Sequence, residues 1–158
     1  MTLYYSFIYP YFVYCVEIWG GTHSIHVNTL LLQQKRIVRL LSNSKRLAHT
    51  EPLFKSLKML TISKLYTYRM LLFLFKFHNK ILPRSMHTLF SRRRDIHSHN
   101  TRQSNSLNLP KCCSNIMKHS FIYNAVILYN KSVTKFDFSQ SYYTFKKSVI
   151  KYLIDDDL

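Results

Sequence analysis

The spacing of apolar and polar positions divides the chain into stretches of different texture. Residues 3–21, LYYSFIYPYFVYCVEIWGG, are apolar on every side and carry one charge, Glu17. Such a run predicts a helix buried all round or a membrane segment. Pro10 should kink that helix or split it in two. Gly20 and Gly21, the only glycines of the chain, predict a sharp break. The next stretch, NTLLLQQKRIVRLLS over 28–42, has helical period. At 100° per residue Leu30, Leu31, Ile37, Val38 and Leu41 share one face, and Lys35, Arg36 and Arg39 share the opposite one. Asn28 suits the N-cap.

HTEPLFKSLKML predicts a short helix capped by Thr50, with Glu51 and Pro52 in its first turn. Leu53, Leu57 and Leu60 form its inner stripe, while Lys55 and Lys58 face away. A further start at Ser63 opens SKLYTYRMLLFLFKFHNKI, which Pro83 should end. That helix is apolar over most of its circumference, so it should be central and heavily buried. The exception is one stripe of Arg69, Lys76 and Lys80. From 91 to 108, SRRRDIHSHNTRQSNSLN has no period and reads as a loop or lobe boundary. LNLPKCCSNIMKHSFIY predicts a β-hairpin and NAVILYNKS a short helix. SYYTFKKSVIKYLI predicts a clearer helix, with Tyr142, Phe145, Val149, Tyr152 and Leu153 inward and Lys147 and Lys151 outward. Asp155 to Asp157 would oppose a negative helix end, so they predict a solvated tail. The expected fold is mainly α, with a small β-hairpin in the C-terminal lobe. The expected organisation is a helical region over 1–90, a linker over 91–109 rich in Arg, Ser and Asn, and a small lobe over 110–158.

Charge sharpens this picture. Lys and Arg total 23 against 7 acids, a formal net charge of +16 over 158 residues. Every base lies between Lys35 and Lys151, where Glu51, Asp95 and Asp137 are the only acids. One-signed charge repels itself in a compact chain and usually answers a polyanion. Nucleic acid is the first candidate and an anionic membrane surface the second. AT-rich codons would also supply lysine, but they do not explain the scarcity of acids. A solvated helix face normally mixes signs at i,i+4, and here the acids are missing. The candidate phosphate contacts are Lys35, Arg36, Arg39, Arg69, Lys76, Lys80, Arg92, Arg93, Arg94 and Arg102.

Catalysis by this chain alone is not expected. Metal-dependent polymerases, nucleases and phosphatases need clustered carboxylates, which the central hundred or so residues lack. Two adjacent glycines cannot build a phosphate loop, and there is no nucleophile-elbow pattern. His78, His87, His97, His99 and His119 with Cys112 and Cys113 lack the spacing of a zinc site, so no cofactor is expected. Three cysteines, two adjacent, predict a reducing, intracellular compartment rather than a disulfide framework. No basic n-region precedes the first apolar run, so no secretory leader is expected. Glu17 and five tyrosines make residues 3–19 polar for a lipid-facing span, so a membrane partner is not expected, although a small basic membrane protein stays open as a reading.

Taken in order, LYYSFIYPYFVYCVEIWGGT, LLLQQKRIVRLL, HTEPLFKSLKMLTISKLYTYRMLLFLFKFHNKILP, IHSHNTRQSNSLNLP and FKKSVIKYL resemble the region downstream of the palm in reverse transcriptases of non-LTR (LINE-type, jockey-like) retrotransposons. The matching positions include Tyr9-Pro10, Trp19-Gly20, His49-Thr50-Glu51-Pro52 and Asn100-Thr101-Arg102. The family's Leu-Trp-Asn-Ser-Leu-Pro stands here as Leu128-Tyr129-Asn130-Lys131-Ser132-Val133. The resemblance implies a thumb-like helical bundle that holds RNA template and RNA–DNA duplex by backbone phosphates. It implies fingers and palm of a parent polymerase as partners, with the catalytic aspartates and their divalent metal in that palm, and a nuclear or cytoplasmic setting. It also implies that residues 3–21 lack bases because they pack between thumb helices and palm. A non-functional expressed remnant of a transposable element is the alternative.

Overall fold

The computed structural model describes residues 2–96 and 103–155, and among these the chain is mainly helical. Its internal contacts gather into two compact units, Met1–Arg69 with Ile150–Leu158, and Met70–Val149.

The first unit begins where proline chemistry dictates. Tyr4–Ile8 winds as a π-helical turn, with the Tyr9 N–H reaching back to the Tyr4 carbonyl. Helix α1, Tyr9–Val13, follows with Pro10 in its first turn. Proline lacks an N–H and crowds the carbonyl four residues back, and the wider π turn accommodates both defects. The run actually separates further on, at Cys15, whose φ of 50° is left-handed, before helix α2, Val16–Trp19. Gly20 ends α2 with an ordinary φ of −67°, so backbone freedom is not why it is glycine. A Cβ there would lie 2.4 Å from Tyr66 Cδ2 and 2.6 Å from the Val16 carbonyl oxygen. The glycine permits close packing, rather than a special turn.

Helix α3 spans Ser24–Leu41, so it starts before the expected Asn28 cap, which lies exposed inside it. His23, with ψ of 140°, breaks the chain one residue beyond the glycine pair and Thr22, and the helix begins at once. Val38 is buried as expected, and Leu30, Leu31, Ile37 and Leu41 are half-buried. A second fully buried residue of α3 was not expected: Gln34 is as deep as Val38. Its Oε1 accepts the Ile62 N–H at 2.9 Å and its Nε2 donates to the Leu60 carbonyl at 2.9 Å. Tyr4 Oη lies 3.4 Å from the same Nε2. One amide thus satisfies backbone groups at the entry to the next long helix.

Helix α4, Glu51–Ser56, has Thr50 at its N-cap, though the hydroxyl makes no capping bond. Because α4 stops at Ser56, Leu57 and Leu60 do not extend an inner stripe, and Phe54 and Met59 are buried instead. Helix α5, Ile62–His78, contributes residues to both units. It buries Ile62, Leu65 and Tyr68 in the first, and Met70, Leu71, Leu72, Leu74 and Phe75 in the second, as its all-round apolar pattern predicts.

The ends of α3, α4 and α5 share one device. In each, paired backbone bonds close the last turn: Asn43 to Leu40 with Ser44 to Arg39, Lys58 to Lys55 with Met59 to Phe54, and Lys80 to Phe77 with Ile81 to Lys76. This Schellman closure places one residue in the left-handed region, usually glycine. Here Asn43, Lys58 and Lys80 occupy it, with φ of 49°, 51° and 55°. Helix α5 therefore ends at His78 through this motif, ahead of the expected stop at Pro83.

In the second unit, LNLPKCCSNIMKHSFIY does not form a hairpin. It holds helix α6, Asn115–Lys118, and the start of helix α7, Phe121–Ser132. Ser114 Oγ accepts the Met117 N–H and Ser120 Oγ the Tyr123 N–H, so two serine caps commit the segment to helix. Among the described residues there is no strand, only an isolated antiparallel bridge between Arg92 and Leu107. Leu107 is fully buried, and the Asn130 side chain bonds both its N–H and its carbonyl at 3.0 Å. The Arg/Ser/Asn-rich stretch on either side of residues 97–102 is thereby pinned to α7.

Helix α8, Tyr142–Asp155, buries Phe145 and Val149 in the second unit and Leu153 in the first. Tyr142, expected inward, sits in the first turn and is exposed. Asp155, expected in a tail, is the last helical residue; Asp156 and Asp157 lie outside the described residues. The core of the second unit is aromatic, with Phe75, Phe138 and Phe145 at centroid separations from 4.5 to 6.3 Å.

Candidate nucleic-acid interface

The expected phosphate contacts have different fates. Arg69 Nε lies 2.9 Å from Glu17 Oε1, in a half-buried ion pair between α5 and α2. Arg39 Nε donates to the Ala48 carbonyl at 3.0 Å and staples the loop after α3. Lys76 is half-buried with Nζ 5.6 Å from the Tyr142 ring centroid, within cation–π range. Arg93 Nη1 donates to Gln103 Oε1. Arg36 is exposed, with a long 3.4 Å contact to Gln33 Oε1. Arg102 lies outside the described residues, as do His97 and His99.

Two groups of bases do converge. In the first unit Lys35 joins Lys55 and Lys64 around a cavity of about 230 Å³, over an apolar floor that includes Phe54 and Leu153. Glu51 lines the same cavity and offsets part of its charge. In the second unit Lys80, Arg92 and Arg94 line a recess of about 190 Å³ together with His78 and His87. Asp95 lines it as well, but both carboxylate oxygens have other neighbours. Its Oδ2 accepts the Arg92 backbone N–H at 3.1 Å, and its Oδ1 lies 3.7 Å from Arg94 Nε.

The backbone holding these cations is fixed on both sides. Arg92 is bridged to the buried Leu107, and the Arg93 and Arg94 N–H groups bond the Ser106 and Ser104 carbonyls at 3.0 Å. Lys80 stands at the Schellman closure of α5, exposed, and its ammonium makes no hydrogen bond or ion pair among the described residues. His78 shares a 2.7 Å hydrogen bond between Nδ1 and Tyr129 Oη. Burial, and then the positive charge of Arg92, hold its pKa below the ordinary histidine value. Burial raises Tyr129, and the same arginine partly offsets that rise. His87 Nε2 donates to the Leu82 carbonyl at 2.7 Å, which leaves Nδ1 as its remaining ring nitrogen.

The recess thus unites Lys80, Arg92 and Arg94 from the expected set and adds His78 and His87, which the sequence raised only as zinc ligands and whose spacing spoke against that role. Among the described residues no group of three or more His, Cys, Asp or Glu could hold a metal ion. Cys15, Cys112 and Cys113 are free thiols. Among those residues, too, no helix is long and apolar enough to cross a membrane. No protein-family model, curated protein or solved structure matches the chain.

Proposed function

We propose that this chain is a non-catalytic, nucleic-acid-holding portion of a reverse transcriptase of the non-LTR retrotransposon kind, and that it grips RNA template and RNA–DNA duplex by their phosphates. The observation that supports this reading best is the convergence of Lys80, Arg92 and Arg94 on one recess, in a chain of net charge +16. Lysine offers a mobile point charge and arginine a planar fork, and neither reads a base when it meets a phosphate. Such contacts suit a polymerase that must move along its substrate. Fingers and palm would supply the carboxylates and divalent metal, and this part would supply grip.

If about four phosphates are neutralised, log K falls with log salt at a slope of about −3 to −4. Charge reversal at Lys80, Arg92 and Arg94 together should flatten that slope by about two to three and weaken all duplex sequences alike. Arg69 is left out of this set because Glu17 already holds it. Fluorescence anisotropy with labelled duplexes across a salt series makes the measurement. Equal affinity and slope in the triple variant would refute the proposal. A second reading, adsorption to an anionic membrane surface, draws on the exposed side chains of Leu3, Phe7, Tyr11 and Ile18. Sedimentation with anionic but not neutral vesicles, without duplex binding, would favour it.

A further inference from the structure

We infer that the recess of the second unit prefers a terminal phosphomonoester, the 5′-phosphate end of a nucleic-acid strand, over the diesters of passing backbone. The inference rests on the nucleic-acid reading above and specifies what this one site takes.

Three features favour an end over a backbone. The first is shape. A diester inside a strand has substituents on two oxygens, both of which must leave a recess, whereas a terminal monoester enters with three free oxygens and one tether. A volume of about 190 Å³ accommodates that group with part of its sugar. The second is charge. Lys80, Arg92 and Arg94 against Asp95 leave two positive charges, three minus one, at the rim. A phosphomonoester carries about −1.5 to −2 near neutral pH, where a diester carries only one negative charge. The third is preorganisation. Asp95 holds the Arg92 N–H and neighbours Arg94, while Leu107 and Asn130 anchor the strand-like backbone beneath. The backbone that carries the arginines therefore needs no reordering on meeting an anion. His78 and His87 each commit one ring nitrogen to the protein, to Tyr129 and to the Leu82 carbonyl, and keep the other.

The test compares one single-stranded oligonucleotide with a 5′-phosphate or a 5′-hydroxyl, by anisotropy, with the full chain. Adenosine 5′-monophosphate and adenosine form a second pair, followed by calorimetry. The 5′-phosphate strand should bind about tenfold tighter, the worth of one added charge-assisted contact. Arg92→Gln should abolish the preference, so that the 5′-phosphate and 5′-hydroxyl strands bind that variant equally. Lys80→Gly guards against misfolding, because it relaxes a left-handed backbone as it removes the ammonium, and it should also lose the preference. Equal affinity for the two strand ends overturns the inference and leaves the nucleic-acid reading intact. If neither strand binds but the monophosphate binds over adenosine, the recess still takes the monoester and the nucleic-acid reading fails. A preference that survives both substitutions overturns the assignment to this recess.

Discussion

Replacing Gln34 by leucine keeps nearly the same volume and removes both polar ends of a side chain with no exposed surface. The Ile62 N–H and the Leu60 carbonyl, each bonded to the amide at 2.9 Å, are then left without it. Each orphaned buried group costs about 1–3 kcal/mol, so the first unit should lose about 2–6 kcal/mol. That is a large share of the roughly 5–15 kcal/mol that holds a typical domain folded. Tyr4→Phe should cost less than about 1 kcal/mol, since its hydroxyl contact is long at 3.4 Å. Trp19, the chain's only tryptophan, belongs to the same unit, so urea unfolding followed by its fluorescence reads the relevant transition. Gln34→Glu adds a control with its own sign. A protonated carboxyl can accept from Ile62 and donate to Leu60 as the amide does, but a carboxylate cannot donate. Its folded-state pKa should therefore rise above the unfolded value of about 4.3. Relative to the parent, that variant is then stable below this value and loses stability as pH rises through the folded pKa. A loss under about 1 kcal/mol for Gln34→Leu would show that water or a shifted backbone replaces the amide, and would refute the reasoning.

Lys58→Gly should stabilise the first unit by about 0.5–1 kcal/mol, since a left-handed non-glycine residue costs about 1–2 kcal/mol and glycine's extra unfolded-state freedom returns part of it; urea midpoints decide this. Gly20→Ala should destabilise by about 1–3 kcal/mol, because the new Cβ overlaps both the Tyr66 ring and the Val16 carbonyl; an unchanged midpoint would mean that Tyr66 yields freely. Arg69→Gln should cost about 0.5–1 kcal/mol through the loss of a half-exposed ion pair, while duplex affinity by anisotropy stays constant. His78, held low by burial and by Arg92, titrates lower in the folded chain than the unfolded value of about 6.5. Its contribution is complete above that pH and is lost as pH falls through the folded pKa, so circular-dichroism melts should show an acid-side slope that His78→Gln flattens.

The helices were legible wherever apolar period was strong, and illegible where a single polar contact decided the outcome. The all-round apolar run of α5 announced its burial, and Phe145, Val149 and Leu153 of α8 followed the wheel. Gln34 could not be found this way, since a glutamine in the polar run Gln33 to Arg36 reads as surface until Leu60 and Ile62 are brought to it. The expected hairpin failed because serine at positions 114 and 120 is ambiguous in sequence, serving turns and helix caps equally. The stop of α5 was misplaced because a lysine does not announce a left-handed closure that glycine usually marks.

The same limit governs the basic residues. A helical wheel tells which side chains avoid the core, but not whether the fold has already used their charge. Arg69, Lys76 and Lys80 share a stripe in sequence, yet Glu17 takes the first and the Tyr142 ring engages the second. Arg39 is turned to a loop carbonyl. Each of these bonds stabilises the chain with a group that a phosphate would otherwise have to win back. A ligand competing for Arg69 must break an ion pair, whereas a ligand meeting Lys80 displaces only solvent. The cations free of such contacts are therefore fewer than the 23 bases of the chain. In the second unit Lys80 at a non-glycine helix end and Arg92 and Arg94 on a pinned turn line one recess, so the fold, and not the helical wheel, decides which cations lie together.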